Sequence, residues 1–381
     1  MDYNIKFNAP FFIGDEIEYI SQAINQEKQL SGNGLFTKKC QDWITNKIGS
    51  KDTLLTNSCT AALEISAILI DAAPGDEIIM PSYTFVSTAN AFVLHGAKPV
   101  FVDIDKDTLN IDPKKIEAAI TDKTKAIVPV HYAGYPCDMN SIMSIARKHN
   151  LYVIEDAAQA LLSSYHGKKL GSIGDLGCFS FHETKNIISG EGGSLCINNK
   201  KLIDRAHIIW EKGTNRRQFS EGVVDKYSWV DKGSSFLPSE LVAAFLYAQL
   251  EKSELINSRR QSLYNKYLAH LSILKEKGLV DLPKEKEENI ERNHHIFYMI
   301  LESRDKRDKL IKYLKQNSIL SVFHYIPLHS SPAGRKFGRV SGKMTYTDDL
   351  SSRIIRLPLH YNLSDSDIEK ISALVINYFK S

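Results

Sequence analysis

The sequence predicts an α/β protein of two lobes, a large one over residues 1–250 built on a mainly parallel sheet and a smaller α+β one over residues 251–381. Three observations predict this. The chain has 381 residues, above the roughly 100 to 200 of a single domain. From Asp52 onward, short β-rich apolar runs alternate with longer stretches of helical period, the pattern of a parallel sheet covered by helices. After Glu251 that alternation changes to long helices separated by isolated strands.

In chain order the strands of the large lobe are expected at 52–56, 77–80, 99–103, 126–131, 151–155, 178–181 and 194–197, each a short apolar run. Helical period places helices between them at 61–72, 85–95, 113–120, 139–148 and 201–211, with a further one at 240–251. The small lobe follows as a helix at 259–270, a strand at 295–301, a helix at 304–316, a strand at 321–325 and a closing helix at 365–379. The Gly- and Ser-containing segment 330–347 reads as a surface loop.

Composition excludes several classes of function. An apolar fraction of 43% and a charged fraction of 24% belong to an ordinary folded chain. A net charge of +3 from 48 basic and 45 acidic residues leaves no clustered basic footprint for nucleic acid. The charged run 284–288 reads as a solvated loop. Five cysteines, at positions 40, 59, 137, 178 and 196, stand far apart without zinc-like spacing, so no metal is expected and the thiols suit a reducing compartment. The first ten residues carry no signal-peptide pattern, and no stretch approaches the about 18 apolar residues of a membrane span. The expected location is the cytoplasm.

In open α/β sheets, ligand groups gather at the carboxyl ends of strands. After the first strand, Asn57-Ser58-Cys59-Thr60 leads straight into a helix, whose free N–H groups either cradle a phosphate or make an ordinary capped start. The fifth strand ends in Glu155-Asp156, followed by Ala157-Ala158-Gln159. A carboxylate there serves as a helix cap or as the partner that keeps a pyridine nitrogen protonated. The run Phe179-Ser180-Phe181-His182-Glu183-Thr184-Lys185-Asn186 carries a lysine just past a buried strand. Such a lysine is a solvated point charge or, desolvated, an amine suited to Schiff-base chemistry. Gly190-Glu191-Gly192-Gly193 then permits positive φ and close backbone approach. It is not a dinucleotide fingerprint, and a nicotinamide dehydrogenase is disfavoured because the first strand is followed by Asn57-Ser58-Cys59-Thr60.

The order of these signals describes a fold-type I pyridoxal phosphate site. The runs Pro81-Ser82-Tyr83-Thr84-Phe85-Val86-Ser87-Thr88, Glu155-Asp156-Ala157-Ala158-Gln159 and Phe179 to Asn186 resemble those of the DegT/DnrJ/StrS sugar aminotransferases, over nearly the whole chain. The resemblance implies the aspartate-aminotransferase-like fold and a connected site. In it Lys185 would be the Schiff-base lysine and proton shuttle, Asp156 the pyridine partner and Gln159 the neighbour of the phenolic oxygen. Phe85 would stack on the ring, and Ser58, Cys59 and Ser180 would contact the phosphate. Ser235 stands where many relatives carry an Asn that reaches the neighbouring subunit's phosphate, and Leu237 where an Arg is common. His131 and Tyr132, after the fourth strand, and His324, Tyr325 and His329, in the small lobe, are candidates for the sugar pocket.

Further runs, Phe7-Asn8-Ala9-Pro10, Lys212-Gly213-Thr214-Asn215-Arg216, Val224-Asp225-Lys226-Tyr227 and His324-Tyr325-Ile326-Pro327-Leu328-His329, are similar to those of family members that aminate the C4 keto group of a dTDP-4-keto-6-deoxyhexose with L-glutamate. The resemblance also implies a homodimer or dimer of dimers. Two other readings of the same fold stay open. One is a sugar dehydratase, which would carry a His in place of Lys185; the other is a binding protein without turnover.

Overall fold

The computed structural model describes residues 3–284 and 287–380, so Glu285 and Lys286 of the charged run 284–288 lie outside the described residues. In chain order the strands are β1 (Asp52–Thr56), β2 (Glu77–Pro81), β3 (Lys98–Val102), β4 (Thr124–Ile127), β5 (Tyr152–Asp156), a two-residue hairpin of β6 (Ser164–Tyr165) and β7 (Lys168–Lys169), β8 (Leu176–Ser180) and β9 (Gly193–Ile197). The later chain adds β10 (Val280–Asp281), β11 (Ile290–Glu291), β12 (Phe297–Leu301), β13 (Arg339–Val340) and β14 (Ile354–Leu357).

Eight strands form one sheet in the order β1-β9-β8-β5-β4-β2-β3-β13. All neighbours in it are parallel except β9, which runs antiparallel to β1 and β8. Strands such as β2 and β9 are buried along their whole length because helices cover both faces. Successive side chains serve opposite faces. Ile78 and Met80 pack under helices Cys59–Leu69 and Val86–Val93, while Ile79 between them packs toward helix Met139–His149. The mainly parallel α/β sheet expected from the sequence is therefore present. It sets the carboxyl ends of β1, β2, β4, β5 and β8 along one edge.

The second sheet, β10-β12-β14, is antiparallel. It packs on helices Ser253–Glu276, Arg304–Gln316 and Asp365–Tyr378 through Leu263, Tyr267, Leu310, Leu314, Ile368 and Ile371. Ile5 bridges to Ile319 and joins this core.

Three expectations for the small lobe need correction. Segment 321–325 is not a strand: it pairs once, Val322 with Arg356, and then turns so that His324 and Tyr325 bond to the large lobe. Segment 330–347 is more than a loop, since it holds helix Pro332–Phe337, β13 and the start of helix Thr345–Arg353. β13 extends the large sheet beside β3, and the Arg339 guanidinium makes two 2.6 Å bonds to Glu77. Strand β14, absent from the sequence reading, completes the small sheet. The helix expected at 259–270 is longer, Ser253–Glu276. Among the described residues no helix is long and apolar enough to cross a membrane.

The N-terminal arm is clamped by one buried carboxylate. Glu240, at the first turn of helix Glu240–Glu251, accepts bonds from the amides of Gly34 at 3.0 Å, Phe36 at 2.7 Å and Thr37 at 3.1 Å, and from the Thr37 hydroxyl. It satisfies the free N–H groups that open helix Leu35–Ile48. Glu240→Ala leaves those donors buried without partners and is expected to cost about 3 kcal/mol. Calorimetric unfolding should show a lowered Tm with the β1–β9 sheet signals intact.

Candidate active site

The site begins where β1 delivers the chain into helix Cys59–Leu69. Ser58 is its N-cap, accepting from the Ala61 amide at 3.1 Å, so the hydroxyl is engaged in capping while neighbouring N–H groups remain at the helix mouth. Gly193 packs directly against this turn. A Cβ there would lie 2.3 Å from the Ser58 carbonyl carbon and 2.4 Å from the Cys59 nitrogen, so only glycine permits the approach.

A cavity of about 620 Å³ opens in front of that helix start. From the large lobe it is lined by Ser58, Cys59, Phe85, Asp156, Gln159, Ser180 and Lys185, among others. From the small lobe it is lined by His295, His324, Tyr325 and Arg356, among others, and Phe7 and Asn8 of the N-terminal arm complete it. Phe85 is 56% exposed at its edge and so is not a core aromatic.

Asp156 ends β5 and is buried. Its carboxylate accepts from the Thr88 hydroxyl at 2.7 Å and the Ala158 amide at 3.2 Å, and Thr88 is itself paired with Thr84. Burial raises its pKa, opposed by the Thr88 bond, the Ala158 amide and the positive charge of Lys185. Burial lowers the Lys185 pKa, assisted by the charge of Arg356 and resisted by Asp156 and Cys59. A carboxylate short of a cation and an amine pushed toward neutrality thus share one chamber. That pair, with a helix N-terminus for an anion, fits pyridoxal phosphate: the Ser58–Cys59 turn would hold its phosphate, and Asp156 and Lys185 would serve its ring nitrogen and its reacting carbon.

Gln159 accepts from the Ala133 amide at 2.7 Å and donates to the Tyr325 hydroxyl at 3.0 Å, tying the lobes across the cavity. His324 lines the cavity and bonds through Nδ1 to the Tyr132 hydroxyl at 2.9 Å. Burial, then the charges of Arg356 and Lys185, holds its pKa well below the ordinary value, so it is neutral. His295 is likewise held neutral by burial, with Nδ1 2.8 Å from the Asn186 side-chain oxygen.

Three residues expected to line the sugar pocket lie behind it. His131 is fully buried, 3.0 Å from Glu155, and its Nδ1 accepts from the Cys137 amide. Glu155 also accepts from the amides of Gly171, Ile173 and Gly174, so the pair belongs to the sheet interior. Tyr132 is buried and lies behind His324 and Tyr325, which line the cavity. His329 bonds Ser82 at 2.7 Å and Asp348 at 3.2 Å, where it secures the lobe junction. Ser235 is exposed and outside this chain's own cavity; its carbonyl accepts from Asn57.

Thr88, His295 and Arg356 were missed. Arg356 follows Ile354-Ile355 and precedes Leu357-Pro358, a charge inside an apolar run that would have marked a cavity-facing strand position had β14 been placed.

Fold and site together define a pyridoxal-phosphate-dependent sugar aminotransferase. The chain belongs to the DegT/DnrJ/EryC1/StrS aminotransferase family, whose model matches residues 12–376. It is 39% identical over 340 residues to the uncharacterized protein MJ1066 of Methanocaldococcus jannaschii, covering 87% of each. It is 32% identical over 384 residues to the spore coat polysaccharide biosynthesis protein SpsC of Bacillus subtilis, covering 99% of this chain and 97% of that one. The putative sugar aminotransferase Spr1654 of Streptococcus pneumoniae, in its PMP-form, superposes with a TM-score of 0.91 at 26% identity over 99% of both chains. Its PLP-form gives 0.90 at 27% identity over 99% of both.

Thr88→Val removes a donor that favours the ionised form of Asp156, so the carboxyl pKa rises further. Because the charge is lost as pH falls through that pKa, cofactor affinity should weaken by about 10-fold, and more at about pH 6 than at about pH 8. Fluorescence titration with pyridoxal phosphate measures this, and Thr88→Ser should restore the wild-type value.

Proposed function

We propose that the chain transfers the amino group of L-glutamate to the C4 keto carbon of a dTDP-4-keto-6-deoxyhexose. The products are dTDP-4-amino-4,6-dideoxy-D-galactose and 2-oxoglutarate. This is the reaction of the dTDP-4-amino-4,6-dideoxygalactose transaminase of enterobacterial common antigen synthesis, which the runs at 7–10, 212–216, 224–227 and 324–329 resemble. The likeness to a polysaccharide biosynthesis protein supports a role of this kind. Five buried, unpaired thiols agree with action in the cytoplasm.

The single observation that carries the reading is the opposed tuning of Asp156 and Lys185 in one cavity. When bound, pyridoxal phosphate supplies the electron sink for the charge left on carbon as a C–H bond breaks. Asp156 keeps the ring nitrogen protonated. Lys185 anchors the cofactor and, as an amine whose pKa burial lowers, takes the proton from the donor's α carbon and later delivers one to C4 of the sugar. Backbone N–H groups at Ser58 and Cys59, with Ser180, hold the phosphate; Phe85 stacks on the ring and Gln159 meets its phenolic oxygen. His324 and Tyr325 meet the sugar.

The active form is a homodimer in which Ser235 reaches the neighbour's phosphate. Large apolar side chains left exposed support this: Phe85, which lines the cavity, and its neighbour Val86, each 56% exposed, and Trp229, 79% exposed on the loop before Ser235.

Lys185→Ala should abolish both turnover and the visible absorbance of the lysine-linked cofactor, while thermal unfolding stays close to wild type; turnover persisting in the variant would overturn the assignment. Incubation with glutamate and a panel of nucleotide keto sugars, read by NMR, should show nitrogen at C4 in the galacto configuration. A deoxy product without nitrogen would identify a dehydratase instead. Sedimentation should give a dimer mass, and Ser235→Ala should weaken cofactor retention without dissociating it.

A further inference from the structure

Four acidic or basic side chains line the cavity: Asp156, Lys185, Glu191 and Arg356. Arg356 stands apart from the other three. It lies on β14 of the small lobe, while the others belong to the large lobe. Its guanidinium rests on the Phe7 ring at 4.7 Å and makes one long bond, Nη2 to the Phe323 carbonyl at 3.4 Å. Its Nε is buried and has no hydrogen-bond partner among the described residues. No carboxylate of the described residues forms an ion pair with it, whereas Arg205, Arg259, Arg339 and Arg353 are all paired.

A half-buried guanidinium that lines a cavity with no counter-charge among the described residues is poised to take an anion. The cavity therefore has two anion-binding ends. One, the Ser58–Cys59 helix start, is made of neutral N–H groups on the large lobe and suits the cofactor phosphate. The other is the Arg356 fork across the chamber, and it suits an anion brought by a substrate. Its planar pair of Nη groups matches the two oxygens of a carboxylate.

We propose that Arg356 binds a carboxylate of the amino-acid donor and so presents its amine and α carbon to Lys185. This rests on the transamination reading above. The diphosphate of a nucleotide sugar is the other anion in that reaction. A cavity of about 620 Å³ is of the size that encloses one drug-sized ligand, so the cofactor and the reacting end of a substrate fill it. The diphosphate and base of a nucleotide sugar then project beyond it, while Arg356 lines it. His324 and His295, neutral neighbours of the guanidinium, add no competing charge. The arginine thereby selects donors that carry a carboxylate near the amine and rejects simple alkylamines.

Calorimetry on the cofactor-loaded protein with maleate, an unreactive dicarboxylate, and separately with dTDP, tests this. Arg356→Ala should weaken maleate binding by about 100-fold, the loss of a charge-assisted bidentate contact, with dTDP affinity unchanged. Arg356→Lys, which keeps the charge without the fork, should fall between the two. Circular dichroism and thermal unfolding check that both variants are folded. Lost dTDP affinity with maleate binding retained would assign the guanidinium to the nucleotide and overturn the inference, as would no change in either. If glutamate leaves the visible spectrum of the wild-type protein unaltered, the transamination reading itself fails; a normal wild-type response with an equal one in Arg356→Ala overturns this inference alone.

Discussion

A carboxylate buried at the end of β5, in the middle of an eight-stranded sheet, is the constraint around which the rest of the site is arranged. Asp156 has a hydroxyl and an amide for company but no cation bonded to it, and burial opposes its ionisation. A protonated ring nitrogen would supply the missing charge, which would make cofactor binding and carboxylate ionisation mutually dependent. Thr88 reaches Asp156 because β2 and β5 run parallel on either side of β4. Lys185 enters the same space from the loop after β8, the neighbour of β5 on the other side. The parallel sheet is thus the device that converts residues far apart in sequence into one site.

The second structural requirement is closure by the small lobe. Tyr83, buried in the large lobe, donates to the His324 carbonyl at 2.6 Å, while Tyr132 meets the His324 ring and Gln159 meets Tyr325. The Arg339 pair with Glu77 holds the opposite edge of the junction. These contacts join the lobes around the cavity that Arg356 and the helix start at Ser58 both line. Charge is distributed accordingly: a guanidinium at Arg356, an amine of lowered pKa at Lys185, neutral imidazoles between lobes, and a neutral N–H cradle at the helix start.

Much of this was legible in the residue order. The strand ends of the large lobe, the Ser58 turn, Asp156, the Ser180 to Lys185 spacing and the Gly193 approach are local patterns, each written within a few consecutive residues. The small lobe was less legible. Segment 321–325 has the apolar character of a strand, but its backbone is recruited to place His324 and Tyr325 against the large lobe. Segment 330–347 has loop composition, yet β13 adds to a sheet whose neighbouring strand, β3, lies more than two hundred residues earlier. His131 and His329 looked available for a ligand because a sequence does not reveal that Glu155, Ser82 and Asp348 already occupy them.

By itself the sequence determined the fold class, the family and the strand-end residues that gather on the large-lobe side of the cavity, because strand period, helix starts and strand-end residues are short-range properties of the chain. Only the tertiary structure decided which polar side chains face the cavity and which are satisfied behind it. It also decided that Arg356 stands in the chamber without a counter-charge. Burial, pKa and pairing depend on what packs against a group from distant parts of the chain, and that information exists only once the two lobes have closed on each other.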